Sequence, residues 1–397
     1  MTRPILKARK FIPIIQEMNY DIPIPGLRLG ILGGGQLGRM IAIEARRMGV
    51  RTLCLDPSPR PPAFGVADEC IVGDLYDPAA IENLAQKSDV LTFEIEHVNS
   101  QFLKVLEDRG FPIYPSPRTL EIIQDKYTQK STLAEANLPV PRFSPSVEAF
   151  DGVFPLVQKA RIGGYDGRGV KIVRSVEDLR DGPEVSTFFE EYIPFQKEIA
   201  VLLARGRDGE VRSWPVIEMV FDPETQICNQ VCAPARISES LSVEAQKISI
   251  EGVRALNGVG VFAVELFVTE DSRVLINEIA PRPHNSGHWT IEGSLTSQFN
   301  QHLRAVCGFP LGSTEQTMPA VMINLLGSSG SRGTPIIRGY RQALSLPGLA
   351  MHWYEKSQVS TQRKMGHVTI LRPTLEEALE LAAKVGRTLW IDGINGG

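Results

Sequence analysis

The sequence predicts a chain of the α/β and α+β classes: a doubly wound parallel domain, then a small domain with a glycine loop, then β-rich portions. Three observations carry this. Apolar strands and helical stretches alternate from Leu27 to Tyr114. From Pro139 short β-type segments take over around a glycine cluster at Gly163–Gly169. A hairpin-rich region follows, and GSSGSRG at 327–333 leads into a last β-rich portion. Strand-helix alternation at this spacing implies a parallel sheet with helices on its faces.

Residues 1–26 hold Arg3, Lys7, Arg9 and Lys10 before Phe11–Ile15. That apolar piece is too short for a secretory signal, so it reads as an N-terminal extension. Leu27–Leu32 is a buried strand, Gly33–Gly38 a turn, and Arg39–Met48 a helix that Gly49 ends. Val50–Leu55 is a second strand closed by Asp56. Ile81–Gln86 is helical, Val90–Ile95 a strand, Leu103–Arg109 a helix and Phe111–Tyr114 a strand. These make one domain over 27–125. One long helix is expected from Thr119 to about Asn137. The next unit, 126–205, has strands at Phe154–Gln158, Val170–Val173, Thr187–Phe189 and Glu198–Leu203. The unit 206–325 has a turn at Arg207-Asp208-Gly209, a helix at Val243–Leu256 and a hairpin pairing Phe262–Val268 with Val274–Ile279. A flexible link at Gly327–Gly333 opens the portion 326–397.

The 397 residues are 43% hydrophobic and 22% charged, with 42 Lys and Arg against 46 Asp and Glu. A net charge of −4 does not point to nucleic acid or an anionic membrane. No apolar run reaches the ~18 residues of a membrane span. The five cysteines are odd in number and widely spaced, which favours a reducing compartment, the cytoplasm. Cys228 and Cys232 have no second pair to make a zinc site. His284 and His288 have the i, i+4 spacing of a zinc helix, but Pro281, Pro283 and Gly287 are poor helix formers.

Gly33, Gly35 and Gly38 fit G-x-G-x-x-G between a strand and a helix, and Asp56 ends the next strand. Three readings stay open: an NAD site, a cradle for another phosphorylated ligand, and a tight turn with no ligand. Gln36 stands at the helix start, in reach of whatever binds.

The hairpin is the sharper signal. A turn centred on Asp271-Ser272 opposes Glu265 and Glu278 on one face, among Phe267, Ile276 and Ala280. Opposed like charges destabilise a sheet, and burial raises the cost. A bound Mg²⁺ removes the conflict; a solvated hairpin face is the plainer alternative. Asn277 is expected to point the other way. Metal-binding carboxylates imply a polyphosphate, which needs cations and N–H donors. Lys126 and Lys159 are candidates. Four glycines within Gly163–Gly169 form a loop able to fold over phosphates, with Asp166 and Arg168 inside it. Glu190–Ile193 reads as a strand leaving the small domain, with Glu198 beyond it.

These parts resemble the ATP-grasp superfamily. The strings ILGGGQLGRM, TFEIEHVN, KARIGGYDGRG, EEYIPFQKEIAV and NEIAPRPHNSGHWT resemble the 5-(carboxyamino)imidazole ribonucleotide synthase family within it, and SQFNQHLRAVCG, VMINLLG and HWYEK…RKMGH continue the likeness. The resemblance implies an ATP-grasp fold: a Rossmann-like pre-ATP-grasp domain, a lid over 126–205, a catalytic subdomain over 206–325 and a C-terminal portion. It implies carboxylation of 5-aminoimidazole ribonucleotide by bicarbonate and ATP, with two Mg²⁺ ions, in a homodimer. It places Lys126, Lys159 and the lid residues Gly163, Gly164, Tyr165, Asp166, Gly167, Arg168 and Gly169 on ATP phosphates. Glu190, Glu191, Tyr192 and Ile193 take adenine, and Glu198 takes ribose. Phe221 stands at the nucleotide edge, where many relatives have His. Glu265 and Glu278 hold Mg²⁺, with Asn277 beside them. Gly35, Gln36, Leu37 and Glu94 face the ribonucleotide, whose amine Asp166 orients or deprotonates and which Arg168 helps to place. Arg363 and Lys364 grip its phosphate, and His284, Asn285 and Ser286 line the cleft. Another ATP-grasp carboxylase or purine ligase, an NAD-dependent oxidoreductase and a silent nucleotide sensor are the rivals. The first lacks these strings, the second leaves the lid and hairpin unexplained, and the third does not need intact metal and lid residues.

Overall fold

A computed structural model of the chain describes residues 26–164, 169–181, 186–223, 225 and 227–394. The first domain comprises β1 (Arg28–Leu32), α1 (Gln36–Arg47), β2 (Arg51–Asp56), β3 (Glu69–Val72), α2 (Pro78–Lys87), β4 (Val90–Phe93) and α3 (Ser100–Asp108). Its strands are all parallel, in the order β3-β2-β1-β4. β4 is buried throughout and β1 nearly so, which is why both read as continuous apolar runs. β3, short and half-exposed at the sheet edge, carries no such signal. Phe111–Tyr114 is not a strand; it supplies one bridge, Ile113 to Leu91.

The expected long helix is two helices. α4 (Pro117–Gln124) and α5 (Lys126–Glu135) meet at Asp125, whose extended backbone (φ −103°, ψ 105°) interrupts the helix. The Asp125 carboxylate accepts from the N–H groups of Tyr127 and Thr128 at 3.0 and 3.2 Å, capping α5. Lys126 therefore opens a new helix.

The small domain is an antiparallel sheet of β5 (Phe143–Ser144), β6 (Leu156–Ala160), β7 (Val170–Val173) and β8 (Thr187–Glu191), in the order β5-β8-β6-β7. The chain continues through β9 (Phe195–Arg205), β10 (Val211–Ser213), β11 (Ile217–Phe221), β12 (Cys228–Ala233), α6 (Glu239–Ala255), β13 (Gly260–Thr269), β14 (Val274–Ala280), α7 (Thr290–Gly293) and α8 (Gln298–Cys307). It ends with β15 (Ala320–Leu326), β16 (Arg332–Arg338), α9 (Tyr340–Leu344), β17 (Leu349–Trp353), β18 (Val359–Ser360), β19 (Lys364–Leu371), α10 (Leu375–Thr388) and β20 (Trp390–Ile394). One large sheet runs β14-β13-β9-β11-β12-β15-β19-β17, with β10 on β9. Its core under α6 includes Ile199, Val201, Phe262, Val264 and Ile276.

Two expectations change. β9 belongs to the large sheet, not to the small domain. Nor is Gly327–Gly333 a free link. β15 before it pairs with β19 after it, the Gly327 N–H donates to Arg363 O at 3.0 Å, and Gly327 O accepts from the Gln362 N–H at 2.8 Å. The C-terminal portion is thus hydrogen-bonded into the sheet that carries the hairpin. Among the described residues, no helix is long and apolar enough to cross a membrane.

Candidate active site

The site is built on the β13–β14 hairpin. Near the turn Val268 pairs with Val274 and Leu266 with Ile276; then the register slips, and Glu265 faces Glu278. Asn277 is the extra residue, a bulge. The expected opposition of the glutamates is present, but the bulge makes it, not a turn centred on 271 and 272. The bulge also re-aims Asn277, correcting its expected direction: its Oδ1 accepts from Lys159 Nζ at 2.9 Å. Lys126 forms an ion pair with Glu278. Burial, then Glu278 and Glu198, push the Glu265 carboxyl up to about 8. At Glu278 burial opposes ionisation, but Lys126 outweighs it and holds that carboxyl at about 2. Burial pushes Glu198 up to about 7. Carboxylate oxygens this close, with one held against its own ionisation, fit an oxygen-ligated divalent cation. No group of three or more His, Cys, Asp or Glu able to hold a metal occurs among the described residues. A cation here would need oxygen ligands beyond the Glu265–Glu278 pair.

The lysines form a chain. Lys159 Nζ lies 2.8 Å from Glu190 Oε2, and Lys130 Nζ lies 3.1 Å from Glu190 Oε1. Lys130 also donates to Ile276 O and Asn277 O at 3.2 and 2.7 Å, holding the bulge from behind. Glu190, expected against adenine, is instead 2% exposed with an oxygen toward each of two lysines. Lys130 escaped the sequence reading. Its signal was the i, i+4 spacing from Lys126 on a helix. Burial brings Lys130 down to about 8, against the pull of Glu190. Beyond Glu190, Glu191 accepts from the Arg142 N–H at 2.8 Å, Tyr192 is exposed and Ile193 buried. Phe221 ends β11 at a register shift and packs part-buried on the core. The neck of the second glycine loop is closed by the Ala160 N–H donating to Gly169 O at 2.7 Å; Gly163 and Gly169 have φ of +82° and +78°. Gly164 is described, but Tyr165, Asp166, Gly167 and Arg168 lie outside the described residues.

The first glycine loop holds an anion of its own. Glu94 Oε1 accepts from the Gly35 N–H at 2.7 Å, and Oε2 from those of Leu37 and Gly38 at 3.1 and 3.0 Å. A Cβ on Gly33 or Gly35 would stand 2.6 or 2.5 Å from Glu94 atoms. The glycines make room for this carboxylate, which takes the helix N-terminus a pyrophosphate would use. Asp56 is equally committed, to the N–H groups of Gly34 and Ser58 at 2.9 and 2.8 Å. Both dinucleotide features are spent internally, so the geometry here supports neither the NAD reading nor the phosphate-cradle reading. Gln36 stays partly exposed at the start of α1.

The opposite wall is the 282–288 segment. His284 Nδ1 lies 3.4 Å from the Ser286 N–H and 2.8 Å from Ser286 Oγ, so Nδ1 accepts and the proton sits on Nε2, 3.3 Å from Glu265 Oε1. Burial, then Arg282 and Lys364, lower His284 to about 4. Asn285 Nδ2 donates to Asn324 Oδ1 at 3.0 Å. His288 is not its metal partner: residues 285–287 form one 3₁₀ turn, and His288 is buried with its ring tilted on His367, centroids 4.6 Å apart. Lys364, the first residue of β19, is close enough to favour ionisation of Glu265. Arg363, its neighbour, is exposed and donates to Gln358 O at 2.6 Å.

Three family models match: a ribonucleotide synthetase pre-ATP-grasp domain over 27–124, an ATP-grasp domain over 131–299, and a phosphoribosylaminoimidazole carboxylase C-terminal domain over 320–381. The chloroplastic phosphoribosylaminoimidazole carboxylase of Vigna aconitifolia is 40% identical over 361 residues, 87% of this chain and 64% of that one. The chain thus spans less than two thirds of that relative's length. The N5-carboxyaminoimidazole ribonucleotide synthetase of Thermotoga maritima superposes with a TM-score of 0.87 at 45% identity, covering 93% of this chain and 100% of that one. The Aspergillus clavatus N5-carboxyaminoimidazole synthase, in complex with ADP and 5-aminoimidazole ribonucleotide, gives 0.83 at 33% identity over 92% and 98%. The chain belongs to the N5-carboxyaminoimidazole ribonucleotide synthase family, ATP-dependent ATP-grasp enzymes of purine biosynthesis that convert 5-aminoimidazole ribonucleotide and bicarbonate to N5-carboxyaminoimidazole ribonucleotide.

Proposed function

We propose that this chain itself makes N5-carboxyaminoimidazole ribonucleotide, ADP and phosphate, with the residues above in the following roles. The observation that carries the reading is the convergence of Lys126, Lys159 and Lys364 on the opposed Glu265 and Glu278. Lys126 and Lys159 bind ATP phosphates beneath the Gly163–Gly169 lid. Glu191, Tyr192 and Ile193 border adenine, and Glu198 faces the ribose hydroxyls. Mg²⁺ held by Glu265 and Glu278 would neutralise phosphate charge as it develops. Neutral His284, donating from Nε2, steadies Glu265 and lines the bicarbonate end with Asn285 and Ser286.

A bicarbonate oxygen attacks the γ-phosphorus, the bond to the bridging oxygen breaks, and ADP leaves. The carboxyphosphate releases phosphate and CO₂. The exocyclic amine of the ribonucleotide attacks that CO₂ and gives up one proton, for which Asp166 is the acceptor. Arg168 and Lys364 position the ribonucleotide, and Gln36 touches it from the α1 side. Proximity does most of the work, since CO₂ is made beside its nucleophile. A homodimer and a reducing, cytoplasmic setting complete the reading; the five thiols are all unpaired.

The deciding assay is ADP release with each substrate omitted in turn. The reading requires that release depend on both 5-aminoimidazole ribonucleotide and bicarbonate, with labelled bicarbonate appearing in the product. ATP hydrolysis indifferent to the ribonucleotide would sink it.

A further inference from the structure

No step above uses a cysteine, yet two of the five thiols are placed for chemistry. Cys54 in β2 and Cys70 in β3 are register partners on parallel strands. Their side chains leave the same face, and the Cys54 thiol donates to Cys70 Sγ at 2.8 Å. A disulfide needs Cα atoms about 4.4–6.8 Å apart, and neighbouring strands lie about 4.7–4.9 Å apart. The sulfurs stand within about 1 Å of the ~2.05 Å bond length. Access is one-sided: Cys54 is fully buried, whereas Cys70 is half-exposed on the edge strand.

We propose that Cys54 and Cys70 are a disulfide-forming pair, closed by a peroxide or a small-molecule disulfide and reopened by thiols. With hydrogen peroxide, Cys70 sulfur attacks one oxygen, the O–O bond breaks, and Cys70 becomes a sulfenic acid with release of water. Cys54 sulfur then attacks Cys70 sulfur, and the Cys54 proton leaves with the sulfenic oxygen as a second water. Two thiols are oxidised and one peroxide is reduced. A small-molecule disulfide reaches the same bond by two exchange steps and releases two thiols.

The bond would staple both ends of the 57–68 segment. Within it the Ala63 N–H donates to Gly34 O at 2.8 Å, and Pro62 O accepts from Arg39 Nη1 at 2.9 Å. The staple therefore restrains the segment that packs on the first glycine loop.

The test treats the full-length protein with hydrogen peroxide, blocks remaining thiols and maps peptides without reduction. The expected result is one Cys54–Cys70 linked peptide, two hydrogens lighter than its parts, lost on adding dithiothreitol and absent from Cys70→Ser. Chymotryptic cleavage after the exposed Phe64, inside the stapled segment, should slow in the oxidised protein and recover on reduction. Cys70 found as a sulfinic acid or a mixed disulfide, with Cys54 still a free thiol, would overturn the proposal; that result needs no variant to be read.

Discussion

Glu94, one residue past the end of β4, and Glu265, within β13, are both carboxylates that burial pushes up, and they differ in the partners their surroundings give them. Glu94 has three backbone N–H donors in the first glycine loop. Glu265 faces another carboxylate and has one neutral imidazole at 3.3 Å. The first site is closed by the protein's own dipoles; the second, on the function proposed above, is completed by a cation. A satisfied buried charge is architecture, and an unsatisfied one marks where a ligand belongs.

The largest test of this contrast lies at the hairpin. Glu278→Gln and Glu265→Gln should each lower turnover at least about 100-fold, the scale of losing one preorganised electrostatic contact. Glu265→Gln should cost little thermal stability, because it removes a carboxyl already held up to about 8. Glu278→Gln should cost more, since Lys126 loses its partner. Normal turnover in either variant breaks the contrast.

Lys130→Met comes next. It leaves Glu190 buried with Lys159 alone and frees the backbone at Ile276 and Asn277, for a loss of roughly 3 kcal/mol. Chemical unfolding measures it, and KM for ATP should rise with it through misplaced Lys159. An unchanged midpoint would mean that the buried pair is not holding the bulge.

Glu94→Gln should cost about 1–3 kcal/mol, because an amide cannot accept from every N–H that the carboxylate serves. Calorimetry on the intact chain reads it, with KM for ATP unchanged. If stability held and only KM for the ribonucleotide rose, Glu94 would be a substrate ligand and not the loop's own anion.

The smallest expected effect is in pH. His302 Nδ1 accepts from the Val261 N–H at 3.1 Å, so Nε2 donates to Thr92 Oγ1 at 2.8 Å, linking the first domain to the large sheet. Burial lowers its pKa to about 3. Below the unfolded value of about 6.5, the unfolded chain binds a proton that the folded chain refuses. Stability is therefore full above that value and falls as pH drops toward 3, with a loss of about 0.8 kcal/mol at pH 6. His302→Gln should flatten that part of the stability–pH curve; an equal slope in the variant would exclude His302.

Local patterns made much of this legible. Apolar runs marked β1, β2 and β4, and β7 was read to the residue. Glu265 and Glu278 stood out because charges interrupt a strand that is otherwise apolar. What failed had no local signature. The Asp125 break hid inside a continuous helical period, and β3 lacked an apolar run. The G-x-G-x-x-G pattern reports only that glycines are needed, not which anion they admit.

The sequence by itself determined most element types, the hairpin carboxylates, the place of the second glycine loop and the family. Periodicity, turn chemistry and motif spacing are properties of neighbouring residues, and they survive without a fold. Only the tertiary structure decided that Glu94 fills the first loop, that a bulge turns Asn277 toward Lys159, and that Glu190 is locked between two lysines. Each of these joins residues far apart in the chain. Each also depends on which buried polar groups are left to satisfy one another once the sheets have packed, and spacing along the chain does not encode that.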